Sequence, residues 1–156
     1  MIRAIYLDST PLSLIAQRKN KNPNVMQCQL WLEGLLLHNI AVYIAEIVDY
    51  EVRRELVRAK KQTGIERLNE WQFTCELIPI TSQAMLRASE LWADARNRGV
   101  PTAEDCALDA DVIFAAQVLG SAAENGHAKG EYIVATANVR HISRYVDCTE
   151  WRNITA

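Results

Sequence analysis

The spacing of apolar residues changes period several times along the chain, and those changes outline alternating strands and helices. Ile2–Leu7 is short and rich in Ile and Tyr, which predicts a strand. It ends at Asp8-Ser9-Thr10-Pro11, where Thr10 can cap a helix and Pro11 suits its first turn. The polar run Lys19–Asn24 separates this helix from the next. Val25–Leu37 sets Trp31, Leu32, Leu35 and Leu36 on one helical face, and Ile40–Ile44 is apolar throughout, as a strand covered on both faces should be. A long helix is predicted from about Ala45 to Lys61, a second over Ile65–Thr74, and a short strand over Glu76–Ile80.

Thr81 or Ser82 then caps a helix through Leu86, Ala88, Leu91 and Ala95, which Gly99 and Pro101 stop. Thr102, with Asp105 placed as in a capping box, predicts a further helix to about Ala123 carrying the stripe Leu108, Val112, Ala115 and Leu119. Tyr132–Ala135 is the last clear strand, and the pattern from Arg144 onward is ambiguous. Strands alternating with helices imply βαβ units. The expected fold class is therefore α/β, a three-layer α/β/α arrangement on a mainly parallel central sheet, in one domain over 1–156.

Composition narrows the function classes. The 156 residues are 49% hydrophobic and 23% charged, enough for an ordinary core without disulfides or a structural metal. A formal charge of -2 excludes a module that holds nucleic acid by net charge alone, but leaves room for a local basic face. The longest apolar stretch, Trp31–Val48, is broken by Glu33, His38 and Glu46, and the N-terminus lacks the apolar core of a signal peptide. A cytoplasmic protein with no membrane contact is expected. Cys28, Cys75, Cys106 and Cys148 show no paired spacing, which suits reduced, mostly buried thiols.

In a parallel sheet, ligands bind beyond the carboxyl ends of the strands. Asp8 terminates the first strand and can be either a helix cap or a functional acid. Glu51 shares a helical face with Ile47, Val48, Arg54 and Glu55, a pattern that by itself favours a salt-bridged surface. Asp111 falls at the edge of an apolar stripe, where an ionised acid needs a partner or a metal, while Asp109 points further round. Asn138 and His141 lie one turn apart just after the last strand. A lone histidine is usually a surface residue. The chain has no GxGxxG, no GxxxxGK[ST] and no GxSxG, so dinucleotide, P-loop and serine-elbow sites have no support. Three carboxylates meeting at one point repel unless a cation sits among them, and oxygen-only donors suit Mg²⁺ or Mn²⁺.

The motifs Ile5–Leu12, Tyr50-Glu51, Asp111–Ala116 and Thr136–His141 occur in the order found in PIN domains, and the chain resembles the VapC-type toxin ribonucleases of that family. The resemblance runs from Ile2 to about His141. It implies a metal-dependent endoribonuclease with Asp8, Glu51 and Asp111 around Mg²⁺ or Mn²⁺, Asp109 as a further ligand, and 5′-phosphate and 3′-hydroxyl products. Thr136 and Asn138 match the element after the last strand, with Asn138 standing in place of a fourth acid. Glu104 and Asp109 are candidates for the missing charge, and Glu46 is a lesser rival to Glu51. Arg54, Arg140 and His141 are candidate RNA contacts, and Arg53, Arg58, Lys60, Lys61 and Arg144 extend the basic set. An antitoxin partner and a homodimer are implied as well. Two alternatives stand beside this: a PIN-like scaffold without catalysis that binds protein or RNA, and a metal-free ribonuclease using His141.

Overall fold

The computed structural model describes residues 1–18 and 22–155, so Lys19–Lys21 of the expected loop lie outside the described residues. Five strands form one sheet in the order β3-β2-β1-β4-β5, all neighbours parallel. They are β1 (Ala4–Leu7), β2 (Ala41–Ala45), β3 (Glu76–Ile78), β4 (Tyr132–Thr136) and β5 (Cys148–Glu150). β1 is central and fully buried, because helices cover both faces of a parallel sheet. The ambiguous C-terminal stretch supplies β5, an edge strand of three residues, followed by a 3-10 turn, Trp151–Asn153.

The helices are α1 (Ser9–Ile15), α2 (Pro23–Leu37), α3 (Glu46–Arg58), α4 (Gln62–Thr74), α5 (Ser82–Asn97), α6 (Ala110–Glu124) and α7 (Val139–Ile142). Right-handed crossovers put α1–α4 on one face as the chain moves from β1 to β3, and α5 and α6 on the other as it returns to β4. α6 is the most enclosed helix, with Val112 to Val118 buried in an unbroken run. Tyr6 of β1 stacks on Tyr43 of β2 at 4.9 Å and donates to Ser121 of α6 at 3.2 Å, tying sheet to helix. Buried Gln117 accepts from the Ile47 amide and donates to the Ile78 carbonyl, which fixes α6 against the carboxyl ends of β2 and β3.

Several local expectations are corrected. The first helix is capped by Asp8, whose Oδ1 accepts from the Ser9 amide at 2.7 Å, and not by Thr10. Thr81 does cap α5, accepting from the Ala84 amide. The helix expected from Thr102 is an irregular segment, and α6 begins only at Ala110 with Asp109 as its cap. Asp105 pairs with Arg96 at 2.9 Å, Arg96 also donates to the Ala103 carbonyl, and Arg144 donates to the Val100 and Pro101 carbonyls. Arg96 thus satisfies the Ala103 carbonyl that a helix would otherwise have paired, and Arg144 satisfies the two carbonyls just before it. Leu108, expected in the buried stripe, is 69% exposed, and Cys106 is exposed as well. Among the described residues no helix is long and apolar enough to cross a membrane.

Candidate active site

Asp8 stands at the carboxyl end of central β1, where the chain must turn from strand into helix. It is 7% exposed. Its two oxygens are held separately: Oδ1 by the Ser9 amide and Oδ2 by the Thr136 hydroxyl at 2.5 Å. The Thr136 oxygen in turn accepts from the Asn138 amide at 2.7 Å. Thr136 is fully buried at the end of β4, so a neighbouring strand end orients the carboxylate of β1. Asn138 contributes through its backbone, and its side chain is left at the exposed start of α7.

Glu51 enters from α3, in the second turn beyond β2. Burial raises its pKa, and the charges of Asp8 and Asp111 raise it further, while Arg54 pulls it down. Asp111 enters from the first turn of α6. Burial raises its pKa, followed by the charges of Asp109 and Asp8, against a lowering by His141. His141 Nδ1 lies 3.5 Å from Asp111 Oδ2. Acids from three elements thus act within one electrostatic environment, Asp8 and Asp111 on Glu51 and Asp8 on Asp111. Among the described residues, no three His, Cys, Asp or Glu side chains form a ready-made metal cage.

The remaining sequence candidates separate into two groups. Asp109 lies beside Asp111 but is 6% exposed and already occupied: it caps α6 through the Val112 amide and accepts from Thr102 Oγ1 at 2.7 Å. Glu104 is exposed in the irregular segment, so the helical geometry that put it beside Asp111 does not exist. Glu46 is drawn away to the Ile80 amide at 2.6 Å. Of the basic residues, Arg54 lies over the Tyr50 ring and acts on Glu51, and Arg140 is exposed on α7. Arg53 is bound to Asp49, and Arg144 clasps the irregular segment, so neither is available to track a strand of RNA.

Two residues, one beside the site and one on the other side of α3, carried no functional reading in the sequence. Tyr145 shares a 2.8 Å hydrogen bond with Thr102, and so stands beyond Asp109 in a chain of three side chains that ends at the start of α6. Asp49 is 7% exposed and accepts from Arg53 at 2.8 and 3.0 Å and from Gln72 at 2.8 Å. An acid one turn before an arginine was the available signal for Asp49.

The donor set at the cleft is carboxylate oxygen on a background of raised pKa values, which fits a hard divalent cation such as Mg²⁺ or Mn²⁺. No family model matches the sequence, and no curated protein matches it. Solved structures do. A chain of VapBC2 from Rickettsia felis, bound to a promoter DNA fragment, aligns with 95% of this chain and 98% of its own at a TM-score of 0.68 and 18% identity. A chain of VapBC-1 from nontypeable Haemophilus influenzae aligns over 96% and 99%, at a TM-score of 0.67 and 14% identity. DNA-bound VapBC from Salmonella typhimurium aligns over 97% and 99%, at 0.55 and 18%. At such identities the likeness establishes the fold: this chain has the PIN-type fold of the VapBC structures over nearly its whole length.

Proposed function

We propose that the protein is a metal-dependent endoribonuclease that hydrolyses RNA phosphodiester bonds. What supports this reading is electrostatic: the charges of Asp8 and Asp111 act on Glu51, and that of Asp8 acts on Asp111. Each comes from a different element, and the charge among them is met only at the margin, by His141 and Arg54. Mg²⁺ or Mn²⁺ held by those three carboxylates would supply an acidified water and charge to stabilise the transition state of phosphodiester hydrolysis.

The chain's own residues prepare that chemistry. Thr136 and the Ser9 amide fix the plane of the Asp8 carboxylate, so one donor of the set is positioned before any ligand arrives. The Asn138 amide holds the Thr136 oxygen and leaves the hydroxyl proton for Asp8. Asp109 caps α6 and thereby fixes the turn that carries Asp111. Arg54 beside Glu51 offers positive charge at the rim, and His141 beside Asp111 a ring nitrogen, where phosphate oxygens of the substrate would lie. Arg140, exposed on α7, would contact RNA on the same side. By the same reading the protein is the toxin of a type II toxin–antitoxin pair, works as a homodimer in the cytoplasm, and is silenced by an antitoxin covering this cleft.

Asp8→Asn and Asp111→Asn test the assignment, since each removes a charge with little change in volume. RNA cleavage followed by gel should disappear in both, with the circular dichroism of the wild type retained. Cleavage by the wild type should stop in EDTA and leave 5′-phosphate ends. Wild-type rates in both variants would sink the proposal. Full activity in chelator with cyclic phosphate products would move the chemistry to His141, and RNA binding without metal-dependent product would leave a scaffold.

A further inference from the structure

A groove leads away from the carboxylates along the outside of the fold. Its first part, about 570 Å³, is bounded by Ser9, Thr10 and Ser13 of α1 and by Glu51, Arg54 and Arg58 of α3. Its second part, about 540 Å³, shares Ser13, Leu56 and Lys61 with the first and continues past Arg18 and Lys60 to the start of α4. Glu51 sits at one end, so the groove is continuous with the candidate active site. From Glu51 to Arg58 it follows α3 for roughly 10 Å before passing on to the lysines.

The charge along this path is unlike that of the whole molecule. Five cations, Arg18, Arg54, Arg58, Lys60 and Lys61, line it against only Glu51 and Glu55, on a chain whose formal charge is -2. Arg58 is paired with Glu55 at 2.7 Å. Among the described residues, Arg18, Lys60 and Lys61 form no ion pair, and the hydroxyls of Ser9, Thr10 and Ser13 have no hydrogen-bond partner. Lys60 adds a backbone observation. Its φ is +53°, and it stands where the turn closing α3 ordinarily takes glycine, with the Lys60 amide on Val57 and the Lys61 amide on Leu56. Lys60 thus occupies a conformation that costs an L-residue about 1 kcal/mol.

We infer that this groove binds the backbone of single-stranded RNA on one side of the cleaved bond. The inference rests on the ribonuclease reading of the carboxylate site, which it extends by naming the strand's path. Unpaired cations on a shallow track beside the chemistry suit a flexible chain of phosphates. Free hydroxyls along the α1 wall can donate to phosphate oxygens or to the 2′-hydroxyl.

The test combines Lys60→Gly with Lys61→Ala, which removes two charges and relieves the positive φ, so that loss of fold cannot mimic loss of binding. Binding of a labelled single-stranded oligoribonucleotide is followed by fluorescence anisotropy across a salt series in EDTA. The slope of log affinity against log salt should fall by about 1.4, at about 0.7 for each phosphate that is no longer neutralised. Steady-state cleavage should show KM rising about tenfold with kcat unchanged, and no change on a substrate too short to pass Arg58. An unchanged slope overturns the inference. So does an equal loss in Lys129→Ala, a cation away from the groove, and so does a polyglutamate of matched charge displacing the RNA equally well, which would assign the groove to an acidic protein segment. A chain that cleaves no RNA but still shows the reduced salt slope in the double variant fails the nuclease reading and keeps the groove.

Discussion

Asp49 and Glu51 lie two residues apart on α3, both acids and both at least partly buried, yet the fold treats them in opposite ways. Asp49 receives a bidentate guanidinium from Arg53 and an amide from Gln72, so its oxygens are satisfied within the chain. Glu51, turned to the other side of the helix, receives no hydrogen bond from the described residues and faces the charges of Asp8 and Asp111. A buried acid that stabilises a structure brings its own partners. One left short of partners beside like charges lowers stability, which makes it a candidate for a functional site. Under the proposed function, that difference, more than depth or position, is what sets Glu51 apart from Asp49.

Exchanging the two acids for neutral residues should separate the two roles. Glu51→Gln should lower RNA cleavage by about 10³-fold, roughly 4 kcal/mol of transition-state stabilisation, with the thermal midpoint unchanged or higher. Asp49→Ala should do the reverse. Removing one partner of a buried ion pair leaves Arg53 and Gln72 uncompensated and should cost about 3 kcal/mol in denaturant unfolding, with activity per folded molecule retained. If Asp49→Ala abolished cleavage in folded protein while Glu51→Gln did not, the contrast would be inverted.

A smaller effect follows from what would complete the cleft. A cation that binds only the folded chain stabilises it by about 2.7 kcal/mol at one hundred times its Kd. Mn²⁺ should therefore raise the thermal midpoint of the wild type and of Asp49→Asn, and should fail to raise that of Glu51→Gln. Differential scanning fluorimetry reads this without any RNA present. An equal shift in Glu51→Gln would separate Glu51 from the ion.

How much of this is visible in the residues depends on how far apart the interacting groups lie. Apolar runs such as Ile5–Leu7 and Val42–Ile44 mark buried parallel strands by themselves, and Asp8 is legible because it ends one of them. The segment after Gly99 misleads for an instructive reason. Thr102 and Asp105 have the spacing of a capping box, but Arg96 binds the Ala103 carbonyl that a helix would satisfy, Asp105 is paired with Arg96, and Arg144 holds the carbonyls just before, contacts of which the sequence gives no hint. The true cap, Asp109, has the right residue type directly before the apolar run, but in the sequence its charge beside Asp111 overshadows that role. The burial of Asp49 is of the same kind, since it depends on α4 bringing Gln72 across. Local chemistry can nominate the acids. Only the packing of distant elements can say which are satisfied.

The finest consequence of the contrast is in the pH dependence of stability. Glu51 and Asp111 have folded-state pKa values raised above their ordinary ones, mainly by burial and then by neighbouring acids. A carboxyl whose pKa is raised on folding binds its proton more tightly in the native state, so its contribution to stability is complete below the unfolded pKa and is lost as pH rises through the folded one. Ionised Glu51 and Asp111 therefore destabilise the metal-free fold at neutral pH. Glu51→Gln and Asp111→Asn should each raise the neutral-pH midpoint in EDTA by the equivalent of less than about 1 kcal/mol, since solvent screens partly exposed charges. That advantage should shrink as pH falls through the carboxylate range and vanish where the wild-type acids are protonated. Asp49→Asn should show no such gain at neutral pH, because it removes an ion pair instead of a repulsion. Thermal melts of the three variants at neutral and acid pH test the sign directly. A gain in Asp49→Asn equal to that in Glu51→Gln would mean that the partners around Asp49 do not distinguish it from the acids of the cleft.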